Sequence, residues 1–305
     1  MGGFNQRATA GFLLLHANEI IPTSKLMHAL WGYEAPTTSR KMIQNAVSGL
    51  RKILDQHMDP AAPVTLTTCA PGYRLTVDEE QLDLFRFHRL VRRGRARLAS
   101  GERQAGLADL RTALDLWRGP ALADLAEAGV AWPELTALQG VRLSVYEDCV
   151  QEALDQGRHQ EILGELEQAA AVEPAGERLC GLLMLALYRC GRQHDALAAY
   201  QRTRTVLLDS FGLDPGRELR ELEHAILNHD AGLTHDAGPR WSGRVPQQLT
   251  ASGLPTPNPA PAPAQEPELS GAGGGGGTGA HRCSRLRATG NLGRRPLRSV
   301  RYRGM

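Results

Sequence analysis

Within a single twelve-residue stretch, Lys41, Gln44, Asn45, Ser48, Arg51 and Lys52 gather the side chains that can read and hold a nucleic-acid duplex. Asparagine can bond an adenine edge through two atoms at once, serine can bond several base edges, and lysine or arginine can neutralise phosphates. Spacing decides whether they act together. At about 100° per residue, with Ile43 set at zero, Val47, Leu50 and Leu54 fall within about 40° of it, while Lys41, Asn45, Ser48 and Lys52 fall within about 40° of the opposite side. One face of the helix is therefore core and the other is cationic and amide-bearing. An ordinary amphipathic helix with a solvated face gives the same pattern, so the elements around it carry the decision.

Before this helix, Asn5–His16 reads as a mostly buried helix ending near Ala17-Asn18. A second begins after Pro22, with Thr23 or Ser24 as N-cap and Leu26, Met27, Leu30 and Trp31 as apolar positions, and closes at Gly32. Pro36-Thr37-Thr38-Ser39 supplies the cap of the third, which runs to about Gln56. After a loop through Asp59-Pro60 and Pro63, Val64–Thr67 alternates like a strand, Ala70-Pro71-Gly72 turns, and Tyr73–Val77 alternates again. Three helices followed by a hairpin is the order of a winged helix, in which the last helix enters the major groove and the hairpin lies along the neighbouring backbone. The expected contacts are Lys41, Gln44, Asn45 and Ser48 on the groove face, Arg51 and Lys52 on phosphates, and Arg74 of the hairpin on the backbone.

Glu79–Asp230 has almost no strand pattern and repeats itself. Gly157 and Gly191 are 34 residues apart, the period of a tetratricopeptide array. The stretches opening at Gly101, Gly157 and Gly191 each place a turn glycine before a helix, and Pro174 closes the second unit. The step from Gly101 to Gly157 is 56, which an insertion around Trp132-Pro133 and a long helix to about Gln156 account for. Stacked helix hairpins of this kind offer a face that holds another protein or orders a dimer; a spacer is the alternative.

The 305 residues carry a net charge of only +2, distributed as 7 basic against 5 acidic residues up to Asp78, 18 against 25 over Glu79–Asp230, and 10 against 3 beyond. From Ala231 the chain is rich in proline, then glycine, then arginine, with eight Arg and no acid between Arg282 and Arg303. Such a segment has too little apolar content to offset its chain entropy and is expected to be disordered. It reads as a nonspecific nucleic-acid arm, as a solvated extension, or as the product of off-register translation. Cys69, Cys149, Cys180, Cys190 and Cys283 are scattered without finger-like spacing and read as reduced, mostly buried thiols. No apolar run suits a membrane span and no leader pattern opens the chain, which points to the cytoplasm. Phosphate-loop, metal-ligand and serine-nucleophile motifs are missing from the sequence, so no cofactor, no metal and no enzymatic activity are expected.

These residues resemble the Streptomyces antibiotic regulatory proteins, an OmpR-like winged helix joined to a bacterial transcriptional activator domain, over about Gln6–Asp230. The resemblance rests on Gln6-Arg7-Ala8, Leu30-Trp31-Gly32, Val47-Ser48, Leu50-Arg51-Lys52, Pro71-Gly72-Tyr73-Arg74-Leu75, the stretch from Leu116 through Trp117-Arg118-Gly119-Pro120 to Asp124, and the stretch from Leu185 to Tyr200. It implies an activator of secondary-metabolite gene clusters that binds promoter direct repeats, as a homodimer on DNA, and helps recruit RNA polymerase. The expected architecture is mainly α: a truncated winged helix-turn-helix (1–78), a tetratricopeptide-like helical repeat (79–230) and a disordered tail (231–305). Three departures from the family stand out. The few residues before Gln6 leave no room for the usual N-terminal sheet or a phosphoacceptor receiver, so the first helix is expected to lose its cover. Gly49 and Cys69 stand where relatives commonly carry arginine, and weaker DNA binding is expected. The rival reading is a helical-repeat interaction regulator with weak or no DNA binding.

Overall fold

A computed structural model describes residues 3–57 and 64–233. The first part consists of α1 (Phe4–Leu15), β1 (Ile20–Pro22), α2 (Thr23–Trp31), α3 (Ser39–His57), β2 (Thr65–Cys69) and β3 (Gly72–Thr76). The three expected helices and the hairpin are present, and β1 is an addition. β3 is central in an antiparallel sheet of order β1-β3-β2, with Ile21 opposite Tyr73 and Leu66 opposite Leu75. Leu66, Tyr73 and Leu75 turn inward by strand alternation and meet Ile21, Leu26, Ile43 and Val47.

A three-residue strand has little intrinsic stability, and Asn18 explains why β1 forms. Its backbone is left-handed, at φ 72°, which asparagine tolerates better than most residues. From there its N–H donates to the Leu75 carbonyl at 2.8 Å, its Nδ2 donates to the Val77 carbonyl at 3.1 Å, and its Oδ1 accepts from the Val77 N–H at 3.0 Å. The chain is thus pinned beside β3 before β1 begins. Gly72 completes the fit: a Cβ there would lie 1.8 Å from the Ile21 carbonyl oxygen, so only glycine admits β1 at this distance.

The second part is helical: α4 (Asp83–Ala99), α5 (Arg103–Asp115), α6 (Ala123–Glu127), α7 (Pro133–Asp155), α8 (His159–Val172), α9 (Glu177–Arg189), α10 (Gln193–Phe211), α11 (Arg217–Leu227) and a 3-10 turn at Ala231–Leu233. The three glycine turns read from the sequence share one geometry. Each helix ends two residues before its glycine and the next starts two residues after it. The glycines are left-handed, at φ 87°, 72° and 75°, and the N–H of the following residue reaches back 2.9 Å to a carbonyl of the finished helix: Glu102 to Arg97, Arg158 to Ala153, Arg192 to Leu187. The same closure recurs after α11, with His229 at φ 51° in the glycine's place and Asp230 bonding Ala225 at 3.0 Å.

Salt bridges cross-link the stack. Arg95 on α4 donates to Asp148 and Ser144 on α7, both at 2.8 Å, and Arg178 on α9 donates to Glu147 at 3.2 Å and Asp148 at 2.8 Å. Burial pushes the Glu147 carboxyl above its ordinary range, with Arg178 opposing it. Burial likewise pushes the Cys149 and Cys180 thiols up to about 11, which leaves them protonated and unreactive at neutral pH. Of the four cysteines among the described residues, Cys180 is buried and Cys69, Cys149 and Cys190 are half-buried, fewer buried than expected; Cys283 lies outside the described residues.

Two further expectations need correction. The first helix does not lose its cover, because Leu125, Trp132 and Leu135 belong to the same apolar cluster as Ala8, Phe12 and Leu13 of α1. The boundary at Asp78 therefore separates elements and not cores. Nor is the segment after Asp230 unstructured from its start: Leu233 is buried and its carbonyl accepts from Arg189 Nε at 2.9 Å. The remainder of the tail lies outside the described residues.

Candidate nucleic-acid interface

The helix that carries the candidate residues starts where Ser39 N–H donates to the Pro36 carbonyl at 2.9 Å and Met42 N–H to the Thr38 carbonyl at 3.0 Å. Its inner face is fixed by Ile43 (0% exposed) and Val47 (1% exposed), with Ala46 buried and Leu50 and Leu54 packed at the edge of the cluster. Lys41, Gln44, Asn45, Ser48 and Lys52 are all exposed. The two faces fall as the angular reading expects, and five of the seven candidate residues stand together on one solvent-facing surface.

Arg51 is placed differently. Its Nε donates to the Leu66 carbonyl and its Nη2 to the Thr68 hydroxyl, both at 2.8 Å, so it ties α3 to β2 where a phosphate contact was expected. Arg74, on the central strand, is half-buried, and its Nε is shielded from solvent without a hydrogen-bond partner. A Cβ at Gly49 would lie 2.6 Å from Nε2 at the end of the Gln6 side chain of α1, so a larger residue there would displace that amide.

Arg40, exposed in the first turn of α3, and Thr67 and Thr68, exposed on β2, add a cation and two hydroxyls to the same region. Sequence reasoning passed over them, although the adjacent Arg40-Lys41 pair and the alternating threonines were visible signals. Tyr33, 99% exposed in the turn between α2 and α3, was also passed over.

The support behind α3 comes from far along the chain. Trp132 Nε1 donates to the Ala29 carbonyl of α2 at 2.8 Å, and its ring meets Phe12 edge-on at 5.1 Å. His16 Nε2 lies 3.0 Å from Glu134, and Arg7 Nε donates to Asp124 at 2.9 Å. The winged helix thus presents its polar face from a base braced by residues 124–134. Among the described residues there is no group of three or more metal-ligating side chains, and no helix is long and apolar enough to cross a membrane.

Comparison with known proteins bears on both parts. Residues 5–75 match the family described as transcriptional regulatory protein, C terminal, and residues 82–227 match the bacterial transcriptional activator domain. Regulatory protein DnrI of Streptomyces peucetius is 35% identical over 238 residues, covering 76% of this chain and 87% of that protein. Regulatory protein AfsR of Streptomyces coelicolor is 38% identical over 233 residues, covering 76% of this chain but 23% of that protein. Among solved structures, Mycobacterium tuberculosis EmbR in complex with a low affinity phosphopeptide superposes with a TM-score of 0.66 at 35% identity, covering 75% of this chain and 60% of that one.

Proposed function

The chain belongs to the Streptomyces antibiotic regulatory protein family, an OmpR-like winged helix joined to a bacterial transcriptional activator domain, and from that premise we propose how it engages a promoter. It is a DNA-binding transcriptional activator of antibiotic biosynthesis. In our reading, α3 lies in the major groove with Lys41, Gln44, Asn45 and Ser48 toward base edges. Lys52 and Arg74 meet phosphates, and Arg51 holds the wing in register with the helix. Two copies of the chain occupy promoter direct repeats in the cytoplasm, and the helical repeat contacts RNA polymerase.

The observation that carries this reading is the division of α3: Ile43 and Val47 are shut off from solvent while Lys41, Asn45 and Ser48 are open to it. A buried polar face or a wet apolar one would have ruled it out. The test is fluorescence anisotropy or gel shift of the full chain with promoter fragments of the neighbouring biosynthetic genes. Saturable binding that survives an excess of random duplex is expected. Co-purification of a protein partner with no shift on any fragment would replace it with the interaction-regulator reading.

A further inference from the structure

Between the start of α4, the loop from Leu116 to Ala123 and the second turn of α7, at Leu138, lies a cavity of about 370 Å³. Its walls are mostly apolar: Leu84 and Phe87 from α4, and Trp117 and Leu122 from the loop. Phe87 and Trp117 meet edge to face, with centroids 5.4 Å apart and planes at 83°. Asp83 and Arg118 line the same space. Asp83 Oδ1 accepts from the Leu84 N–H at 2.8 Å, whereas Arg118 is exposed. A space at the low end of the size range of small-molecule sites, with two aromatic walls and a few charged groups, has the usual make-up of a ligand pocket.

A second observation points to the same place. Leu122 is left-handed, at φ 50° and ψ 44°, a conformation unfavourable for a leucine. Strain of this kind persists only where the surroundings impose it. Here the surroundings include α1: a Cβ added to Gly11 would stand 2.9 Å from Leu122 Cδ1 and 3.0 Å from Leu125 Cδ1. One strained leucine thus lines the cavity and also abuts the helix that packs beneath α3.

We propose that this cavity binds a planar aromatic acid of two or three rings, with its rings beside Phe87 and Trp117 and its anionic group at Arg118, and that Leu122 transmits occupancy to α1 and so to DNA affinity. Aromatic walls favour flat ring systems through edge and offset contacts, and the exposed guanidinium offers an anion several donors. The binding step stands on the cavity alone; the regulatory consequence rests on the DNA-binding reading.

The test uses 8-anilinonaphthalene-1-sulfonate, an aromatic anion, titrated into the full chain without DNA and followed by its fluorescence. One saturable site is expected, with affinity at least tenfold weaker in Arg118→Glu, an exposed position whose change leaves the fold intact, and in Leu84→Trp, which narrows the cavity. Several weak sites, or equal binding by wild type and both variants, would overturn the site. In the second arm, saturating probe is expected to change promoter affinity severalfold in the wild type and not in Arg118→Glu. One-site binding with unchanged promoter affinity would overturn the coupling through Leu122. A chain that binds probe but no promoter at all would instead count against the DNA-binding reading, so the two failures are distinguishable.

Discussion

Arg51 on α3 reaches the Thr68 hydroxyl and the Leu66 carbonyl of β2 with two nitrogens of one guanidinium, each at 2.8 Å. A planar fork can serve two acceptors at fixed separation, whereas an ammonium is a single point donor. Arg51→Lys therefore keeps the charge and loses the bridge. Arg51→Ala and Arg51→Lys should both weaken specific binding by about 1–2 kcal/mol, with little change in the salt dependence of either. Anisotropy titrations across a salt series distinguish this from a phosphate contact, for which lysine would retain most of the affinity and alanine would flatten the salt slope by about 0.9.

Asn45 and Lys52 share the exposed face of α3 but differ in chemistry. Asn45→Ala should relax preference at one base pair by about 1–3 kcal/mol, because an amide on a base edge carries sequence information. Lys52→Ala should weaken specific and random duplexes alike. Binding to a panel of single-base operator variants separates the two. Equal losses on every duplex for both substitutions would remove Asn45 from the groove.

What was legible in the sequence was local. The faces of α3 follow from the spacing of Ile43, Val47, Lys41 and Asn45, and the three glycine turns follow from residues within one turn of each helix end. What escaped was set by distance along the chain. β1 has only three residues, too few for a pattern, and depends on Asn18 bonding Val77. The cover of α1 arrives more than a hundred residues later, from Leu125 and Trp132. The charge of Arg51 is visible in sequence and suggests a phosphate ligand, whereas its two partners on β2 are set by the fold.

Gly94 in α4 and Gly106 in α5 were equally silent, yet they let the two backbones touch. A Cβ on Gly106 would lie 2.9 Å from the Gly94 carbonyl oxygen, and one on Gly94 would lie 3.0 Å from that of Gly106. Alanine gains about 1 kcal/mol over glycine in a helix interior. Overpacking at a backbone contact costs about 1–3 kcal/mol and outweighs that gain. Gly106→Ala should therefore destabilise the protein. Gly140→Ala in α7 and Gly164→Ala in α8, where a Cβ meets nothing within 4 Å, should each stabilise it by about 1 kcal/mol. Urea denaturation of the three variants gives the signs directly.

Asp109 ties α5 to α4, accepting from Arg93 Nε at 2.8 Å and from Arg97 Nη1 at 2.7 Å. The Arg93 hydrogen bonds, with the charges of Arg93 and Arg97, hold its carboxyl below the usual aspartate value of 3.8 despite its burial. A carboxyl whose pKa is lower in the folded chain stabilises the fold above the unfolded-state value and loses that contribution as pH falls toward the folded-state value. The wild type should therefore lose stability from about one unit above the usual aspartate range downward. Asp109→Asn should be less stable at neutral pH by about 1–2 kcal/mol, since both arginines are partly solvent-exposed, and should show a shallower acid limb. Thermal melts from pH 7 to pH 3 measure both effects.

Trp132, 4% exposed, is the point at which the helical part holds the winged helix, through its Nε1–H on the Ala29 carbonyl and its ring on Phe12. Ala29 lies in the last turn of α2, where carbonyls have no partner within the helix. Trp132→Phe keeps an aromatic ring and removes the donor, leaving that carbonyl unsatisfied at a cost of about 1–3 kcal/mol. Because Trp132 shares a cluster with Leu26, Ile43 and Tyr73, the loss should lower the stability of the whole chain in one transition. Amide exchange should quicken in α2 and α3 as well as in α7. A variant that loosens α7 alone and leaves α2 and α3 as slow to exchange as before would mean that the two parts fold independently and that the brace at Trp132 contributes nothing to the presentation of α3.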